Sequence, residues 1–284
     1  MLSDAIAALR CPVCQGPCHL GEGPNRAILC GAGHVFDAAK QGYFNLLTGK
    51  GTVFEADTAD MVAARQRFLD GGHYAELAGT IASLAAEAMQ GPDPAVLDAG
   101  TGTGHYLHAV LHKTPAKAVG LDISKFALRR AAHLNPQAAN LVWDIWRPLP
   151  LADHSMDVVL VVFAPRNPPE FARVLRPGGT LLVVTPRPGH LAEAAERTGM
   201  LSIQEGKEAK LAETLSEHFL PGRTINLDVP LTLDPGQLAD LAFMGPAGHH
   251  LDSHKTPGTA DGTESLHTTA KFQIGIFRSR ETRP

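Results

Sequence analysis

The run VLDAGTGTGHY (Val96–Tyr106) decides the fold. An apolar stretch that ends in an acid and three alternate glycines reads as a buried strand, a turn allowing close backbone approach, and the start of a helix. Unpaired N–H groups at such a helix start favour electron-rich parts of a ligand. The spacing narrows the ligand further. Dinucleotide binding calls for G-x-G-x-x-G, and after Gly100 and Gly102 the third required position is His105, with glycine at 104 instead. No G-x-x-x-x-G-K-[ST] occurs, so a phosphate-cradling loop is unsupported.

Strand and helix signals alternate on the carboxyl side of this run. Short apolar stretches fall at Ala95–Gly100, Ala118–Ile123, Asn140–Ile145, Asp157–Phe163 and Thr180–Pro186. Helical segments such as His105–Leu111 and Lys125–His133 lie between them. Strands apolar on both faces and separated by helices specify a parallel sheet in a doubly wound α/β domain. Thr224–Leu233 and Thr268–Ser279 read as two late strands, joined by a helix at Pro235–Phe243 and a loop rich in Gly, His and Thr, and they suit an antiparallel edge. Upstream, Asp57–Leu69 places Met61, Ala64, Phe68 and Leu69 on one helical face, with Asp57 or Thr58 as N-cap. A second helix runs from Tyr74 to Met89 and stops at Gln90–Pro94. There is no internal repeat.

The chain has 284 residues, 44% hydrophobic and 19% charged, a balance that excludes global disorder and suits one large or two unequal domains. A net charge of −4 is the wrong sign for a protein that coats nucleic acid by bulk charge, though it leaves room for a local groove. The N-terminus MLSDAIAALR lacks the basic start of a secretory signal. No apolar run approaches the ~20 residues that span a bilayer. The expectation is a cytoplasmic protein with no membrane partner, in which thiols stay reduced.

All four cysteines lie in RCPVCQGPCHLGEGPNRAILCGAGH (Arg10–His34), a turn-rich stretch too short to build its own core. Cys11-x-x-Cys14 followed by Cys30-x3-His34 has the spacing of a tetrahedral Cys3His zinc site. A redox C-x-x-C opens a helix in a βαβ unit, a setting absent here. Cys18, like His19, is left over and is read as a bystander.

Beyond the glycine loop, Asp122 in VGLDIS ends the second strand and Asp144 in VWDIW ends the third, while RVLRPGGTLLVV (Arg173–Val184) leads into the fifth. In this order and spacing the chain resembles the class I methyltransferases that use S-adenosylmethionine. That resemblance implies a Rossmann-like, mixed seven-stranded sheet, cofactor contacts at Gly100, Gly102, Thr103, Gly104 and His105, ribose hydroxyls on Asp122 and the adenine amino group on Asp144. Asn167-Pro168-Pro169 is similar to the N-P-P-[YF] loop of amino-group methylases, but Glu170 fills the aromatic position and the triplet starts late, so it reads as a turn into the next helix.

The zinc motif, FDAAKQGYFNLL (Phe36–Leu47) and RQRFLDGGHY (Arg65–Tyr74) ahead of such a core resemble the bacterial 23S rRNA guanine-N1 methyltransferases. This implies one structural zinc on Cys11, Cys14, Cys30 and His34. It also implies cofactor contacts at Tyr74 and His190, a substrate guanine in the loop of hairpin 35 in domain II of 23S rRNA, dimerisation, and in some members resistance to tylosin-type macrolides. The expected division is a zinc module at 1–37, a helical connector at 38–90 that adds to the cofactor site, and the methyltransferase domain at 91–284. Guanine N1 carries a proton, so a base or a donor at O6 is needed, and Arg166 and His190 are candidates after strands four and five. A small-molecule methyltransferase on the same fold is the alternative, favoured by the acidic charge but leaving the zinc module without a task.

Overall fold

The computed structural model describes residues 2–22, 26–49, 51–200, 213–245 and 264–280. Most of the loop expected between Phe243 and Thr268 lies outside them, as do Gly23 and Pro24. The front segment holds α1 (Leu2–Ala7), β1 (Cys18–Leu20), β2 (Ala27–Cys30) and β3 (Val35–Asp37). The three strands make a small antiparallel sheet in which Cys18 faces Cys30.

The remaining strands are β4 (Phe44–Asn45), β5 (Ala95–Ala99), β6 (Lys117–Asp122), β7 (Ala139–Val142), β8 (Met156–Val162), β9 (Leu175–Pro186), β10 (Phe219–Leu233) and β11 (Leu266–Ser279). They form one sheet in the order β10-β11-β9-β8-β5-β6-β7-β4. Pairing is parallel from β4 to β9 and antiparallel at β9-β11-β10, the mixed sheet with an antiparallel edge that the late strands implied. Among the described residues this sheet has eight strands where seven are expected. The addition is β4, which pairs with β7 inside the supposed helical connector; two residues are too few to carry a period-two pattern.

Between these strands lie α2 (Ala59–Asp70), α3 (Ala75–Ala88), α4 (His105–Lys113), α5 (Lys125–Leu134), α6 (Pro168–Val174), α7 (Ala192–Thr198) and α8 (Pro235–Phe243). Local chemistry sets their starts. Thr58 caps α2 by accepting from the Met61 N–H, Ser124 caps α5 through Ala127, and Asp234 with Gln237 forms a capping box on α8. Pro168 and Pro169 occupy the first turn of α6, where missing N–H groups cost nothing.

All five residues of β5 are buried, and its side chains alternate between two cores. Leu97 joins Ile6, Leu9, Ile28, Cys11 and Cys30 on one face; Val96 joins Leu77, Ile81 and Phe272 on the other. The front segment thus shares a core with the sheet. Backbone hydrogen bonds reinforce the junction, Arg10 N to Pro150 O at 3.0 Å and Ala152 N to Ala8 O at 2.9 Å.

β7 ends at Val142, short of the expected Ile145. Asp144 therefore sits two residues past the strand, and the reason is its own side chain. Its Oδ1 accepts from the Trp146 N–H at 3.0 Å and its carbonyl from Arg147 N, an Asx turn that competes with further pairing.

Candidate functional site

Two constellations carry chemistry. In the first, a knuckle at Cys11–Gly16 and the β2–β3 turn converge. The Sγ atoms of Cys11, Cys14 and Cys30 and the Nδ1 of His34 lie within 4.8 Å of one another. Individual separations are 3.6 Å for Cys11–His34, 3.7 Å for Cys14–Cys30 and 3.3 Å for Cys30–His34. A tetrahedron with Zn–S bonds of ~2.3 Å has edges of about 3.8 Å, so the donors have the spacing and the chemistry for zinc. At Cys30, burial opposes the thiolate, but backbone hydrogen bonds at His34 and Ala32 outweigh it and bring the thiol down to about 6. Cys18 is outside the group: its side chain is buried in the shared core, which pushes its thiol up to about 12. All four donor positions are filled by protein, the arrangement of a structural site.

The second constellation lies at the carboxyl ends of β5 and β8. From β5 the chain steps outward to β6 and β7, then returns to the other side of β5 at β8, and a ligand crevice opens where the order reverses. The β5–α4 turn forms its floor. Gly100, Gly102 and Gly104 have φ of 90°, 54° and 82°, left-handed values that glycine alone adopts freely. Their surroundings differ. A Cβ at Gly100 would meet the Ala164 Cβ at 2.4 Å and one at Gly104 the Asn135 Nδ2 at 2.7 Å, whereas at Gly102 it would enter open space. Gly102 is therefore the point where a ligand can approach the backbone. Thr103 is buried beside it, and His105 begins α4 with an Nε2 that is buried and unpartnered.

Acids flank this turn. Asp122 accepts from Gly102 N at 2.9 Å through Oδ2 and from Ser124 N at 2.8 Å through Oδ1. Burial nevertheless raises its pKa. Asp98, 1% exposed, accepts from Thr101 Oγ1 at 2.7 Å, but its Oδ1 has no partner among the described residues. Burial, only partly offset by Thr101, lifts that carboxyl to about 7. A buried carboxylate oxygen without a donor is costly, and a cationic ligand group would relieve it. Asp122 and Asp144 held on backbone amides, an open glycine and the orphaned Asp98 carboxylate suit S-adenosylmethionine, which offers hydroxyls, an amine and an ammonium.

A methyltransferase-domain family model matches residues 96–179, and the RlmA N-terminal zinc-ribbon model matches residues 9–49. A putative 23S rRNA (guanine-N(1)-)-methyltransferase from Micromonospora griseorubida is 43% identical, over 98% of this chain and 99% of that one. The 23S rRNA (guanine(748)-N(1))-methyltransferase of Streptomyces fradiae is 46% identical over 89% of each. The chain belongs to the 23S rRNA (guanine-N1)-methyltransferase family. The YcgJ protein of Bacillus subtilis, 17% identical with a TM-score of 0.50 over 71% of this chain and 98% of that one, shares the fold.

Other residues expected to serve a 23S rRNA (guanine-N1)-methyltransferase are placed as follows. Tyr74 precedes α3 and is 3% exposed, edge-on to Phe68 at 5.2 Å and Phe272 at 5.0 Å. His190 lies on the turn after β9; its Nδ1 is 3.0 Å from Lys271 N, and its ring lies 5.1 Å from Phe272. Arg166 follows β8, with a buried, unpartnered Nε and a pKa lowered by burial. Asn167 stands at the N-cap position of α6 without a side-chain cap bond, and donates its Nδ2 to Ile145 O at 2.8 Å on the segment after β7.

Two features of this family member escaped the sequence. Asp98 was noted only as preceding the glycines, and its orphaned oxygen depends on three-dimensional burial. The strap Gly51–Asp57 carries no motif in the sequence beyond Asp57 as a candidate helix cap. Thr52 Oγ1 donates to Asp144 Oδ2 at 2.8 Å, Arg147 donates to Gly51 O, and Ser124 Oγ donates to Asp57 O at 3.0 Å. The strap is thus pinned beside two of the acids. Gly49 and Gly51, both with left-handed φ, are its other sequence signal.

His190 has a pH consequence. Burial lowers its pKa to about 4, below the ~6.5 of an unfolded histidine, so the unfolded chain takes up the proton first. Its contribution to stability is intact above about pH 6.5 and is lost as pH falls toward 4. Thermal midpoints of wild type and His190→Gln, measured from pH 7.5 to 4.5, are expected to converge on acidification. Parallel curves would show that His190 does not titrate in this way.

Proposed function

We propose that this chain transfers a methyl group from S-adenosylmethionine to N1 of a guanine in the loop of hairpin 35, domain II, of 23S rRNA. The observation that carries this reading is likeness to the Micromonospora relative along 98% of the chain, zinc ribbon included. The finer assignments are part of the proposal: one zinc ion on Cys11, Cys14, Cys30 and His34, a homodimer, cytoplasmic action, and protection against tylosin-type macrolides. So is the division into residues 1–37, 38–90 and 91–284, a functional one because the zinc module shares the sheet's core.

When bound, S-adenosylmethionine supplies an electrophilic methyl on a positive sulfur that leaves as a neutral thioether. The protein's work is then alignment and electrostatics. The Gly100–Gly104 turn with Thr103 and His105 would receive the cofactor, Asp122 would accept from its ribose hydroxyls and Asp144 from its adenine amino group, and Asp98 would offer its carboxylate to the ammonium. Tyr74 and His190 would complete the site. Guanine N1 must lose its proton as the N–C bond forms, and the charge that develops spreads to O6. Arg166, four residues past the end of β8, is the candidate donor to O6. His190, whose pKa burial lowers to about 4, is neutral at physiological pH and remains the candidate to receive that proton. N1 lies on the pairing edge, so the guanine must be unpaired, in keeping with a loop target.

Label transfer separates this from the small-molecule alternative. Enzyme with methyl-labelled cofactor is expected to label a 23S rRNA transcript and not a metabolite extract; label in the extract alone would support the alternative.

A further inference from the structure

Phe163 holds an unusual position. It follows β8 with φ of 55°, a left-handed conformation that a bulky residue adopts only where its surroundings impose it, and strain of this kind clusters at functional sites. Glycine or asparagine would occupy the position at lower cost. The Phe163 N–H is tied to Val184 O at 3.2 Å, and the next residue, Ala164, fills the space a Cβ on Gly100 would take. The Phe163 turn is therefore locked against the glycine turn at the reversal point of the sheet.

Its ring ends an aromatic wall. Phe68, Tyr74 and Phe272 are 1%, 3% and 0% exposed, whereas Phe163 is 45% exposed although its centroid lies 5.7 Å from Phe272 and 6.5 Å from Tyr106. Burial of the ring does not account for phenylalanine here, since nearly half of it faces solvent at energetic cost. Three residues on, the Arg166 Nε is buried without a partner among the described residues. An exposed flat ring on a turn locked against the glycine loop, beside the cofactor crevice, gives an unpaired purine a face to stack on.

We propose that Phe163 stacks on the target guanine and fixes its plane for methyl transfer. This rests on the RNA reading above, and the unpaired base would lie between the ring and solvent. The test compares wild type, Phe163→Leu and Phe163→Tyr on a hairpin RNA, with cofactor affinity measured by calorimetry. Leucine keeps apolar contact with Tyr106 and Phe272 but cannot stack. Base–aromatic stacking predicts a fall in kcat/KM of about 10- to 100-fold for Phe163→Leu, near wild-type activity for Phe163→Tyr, and unchanged cofactor affinity in both. A Leu variant as active as wild type, a Tyr variant as poor as Leu, or equal loss of cofactor affinity would each overturn the proposal. If leucine prevents folding, Phe163→Trp gives a second measurement. Its added fluorescence should be quenched by the hairpin and not by the same RNA abasic at the target, and equal quenching by both would also overturn it. Wild type inactive on RNA would instead sink the functional reading, a distinguishable result.

Discussion

Gly102→Ala is expected to weaken S-adenosylmethionine binding by about 10- to 100-fold, the cost of an intrusive methyl in a close-packed contact, while the protein stays folded. At this position the added Cβ meets nothing within 4 Å, so the fold loses only the preference of glycine for φ of 54°. That preference is worth ~1–2 kcal/mol, a few degrees in thermal midpoint for a chain of this size. Gly104→Ala is expected to behave differently. Its Cβ would lie 2.7 Å from Asn135 Nδ2 and 3.0 Å from Ala131 Cα, and Asn135 there donates to Gly104 O and bonds His108. It should therefore lose stability as well as binding. Calorimetric titration beside thermal unfolding separates the two; equal destabilisation by both variants would show that Gly102 is a structural glycine and not the opening of the cofactor cradle.

Loss of zinc should destabilise the enzyme far beyond its N-terminal segment. Structural zinc contributes about 10–16 kcal/mol to folding in small peptides. Here Cys11 and Cys30 are buried in the same core as Leu97, Val119 and Leu141 of the central sheet. Cys14→Ser is expected to abolish bound zinc and lower the thermal midpoint by about 10 °C or more, since 1 kcal/mol moves a protein of this size by a few degrees. Cys18→Ala removes a buried thiol that ligates nothing; it should keep the zinc and cost no more than a small core truncation, ~1–2 kcal/mol. Metal analysis of both proteins checks the assignment, and zinc lost from Cys18→Ala would mean that the donor set is wrong.

Much of this architecture was legible because parallel strands buried on both faces read as uninterrupted apolar runs, and Val96–Tyr106 carries its turn in its glycines. The helix at Pro235–Phe243 was legible to the residue, since Asp234 and Gln237 write the cap into the sequence. What escaped was nonlocal. β4 is held only by β7, and Phe44 is buried by residues almost a hundred positions away. Asp144 cut its strand short through a turn that its own carboxylate makes. The zinc donors were legible because C-x-x-C and C-x3-H are local spacings, while the sharing of one core between that module and the sheet was not. Phe163 was read as the end of an apolar strand; its left-handed backbone and exposed ring are properties of the folded chain alone.

The central claim is methyl transfer to guanine N1 of 23S rRNA. A methyl group there blocks the pairing edge, so reverse transcription across RNA treated with the purified protein and S-adenosylmethionine reads it at nucleotide resolution. One new stop is expected in the loop of hairpin 35, absent without cofactor. No stop in 23S rRNA, or a stop that forms equally without cofactor, would contradict it.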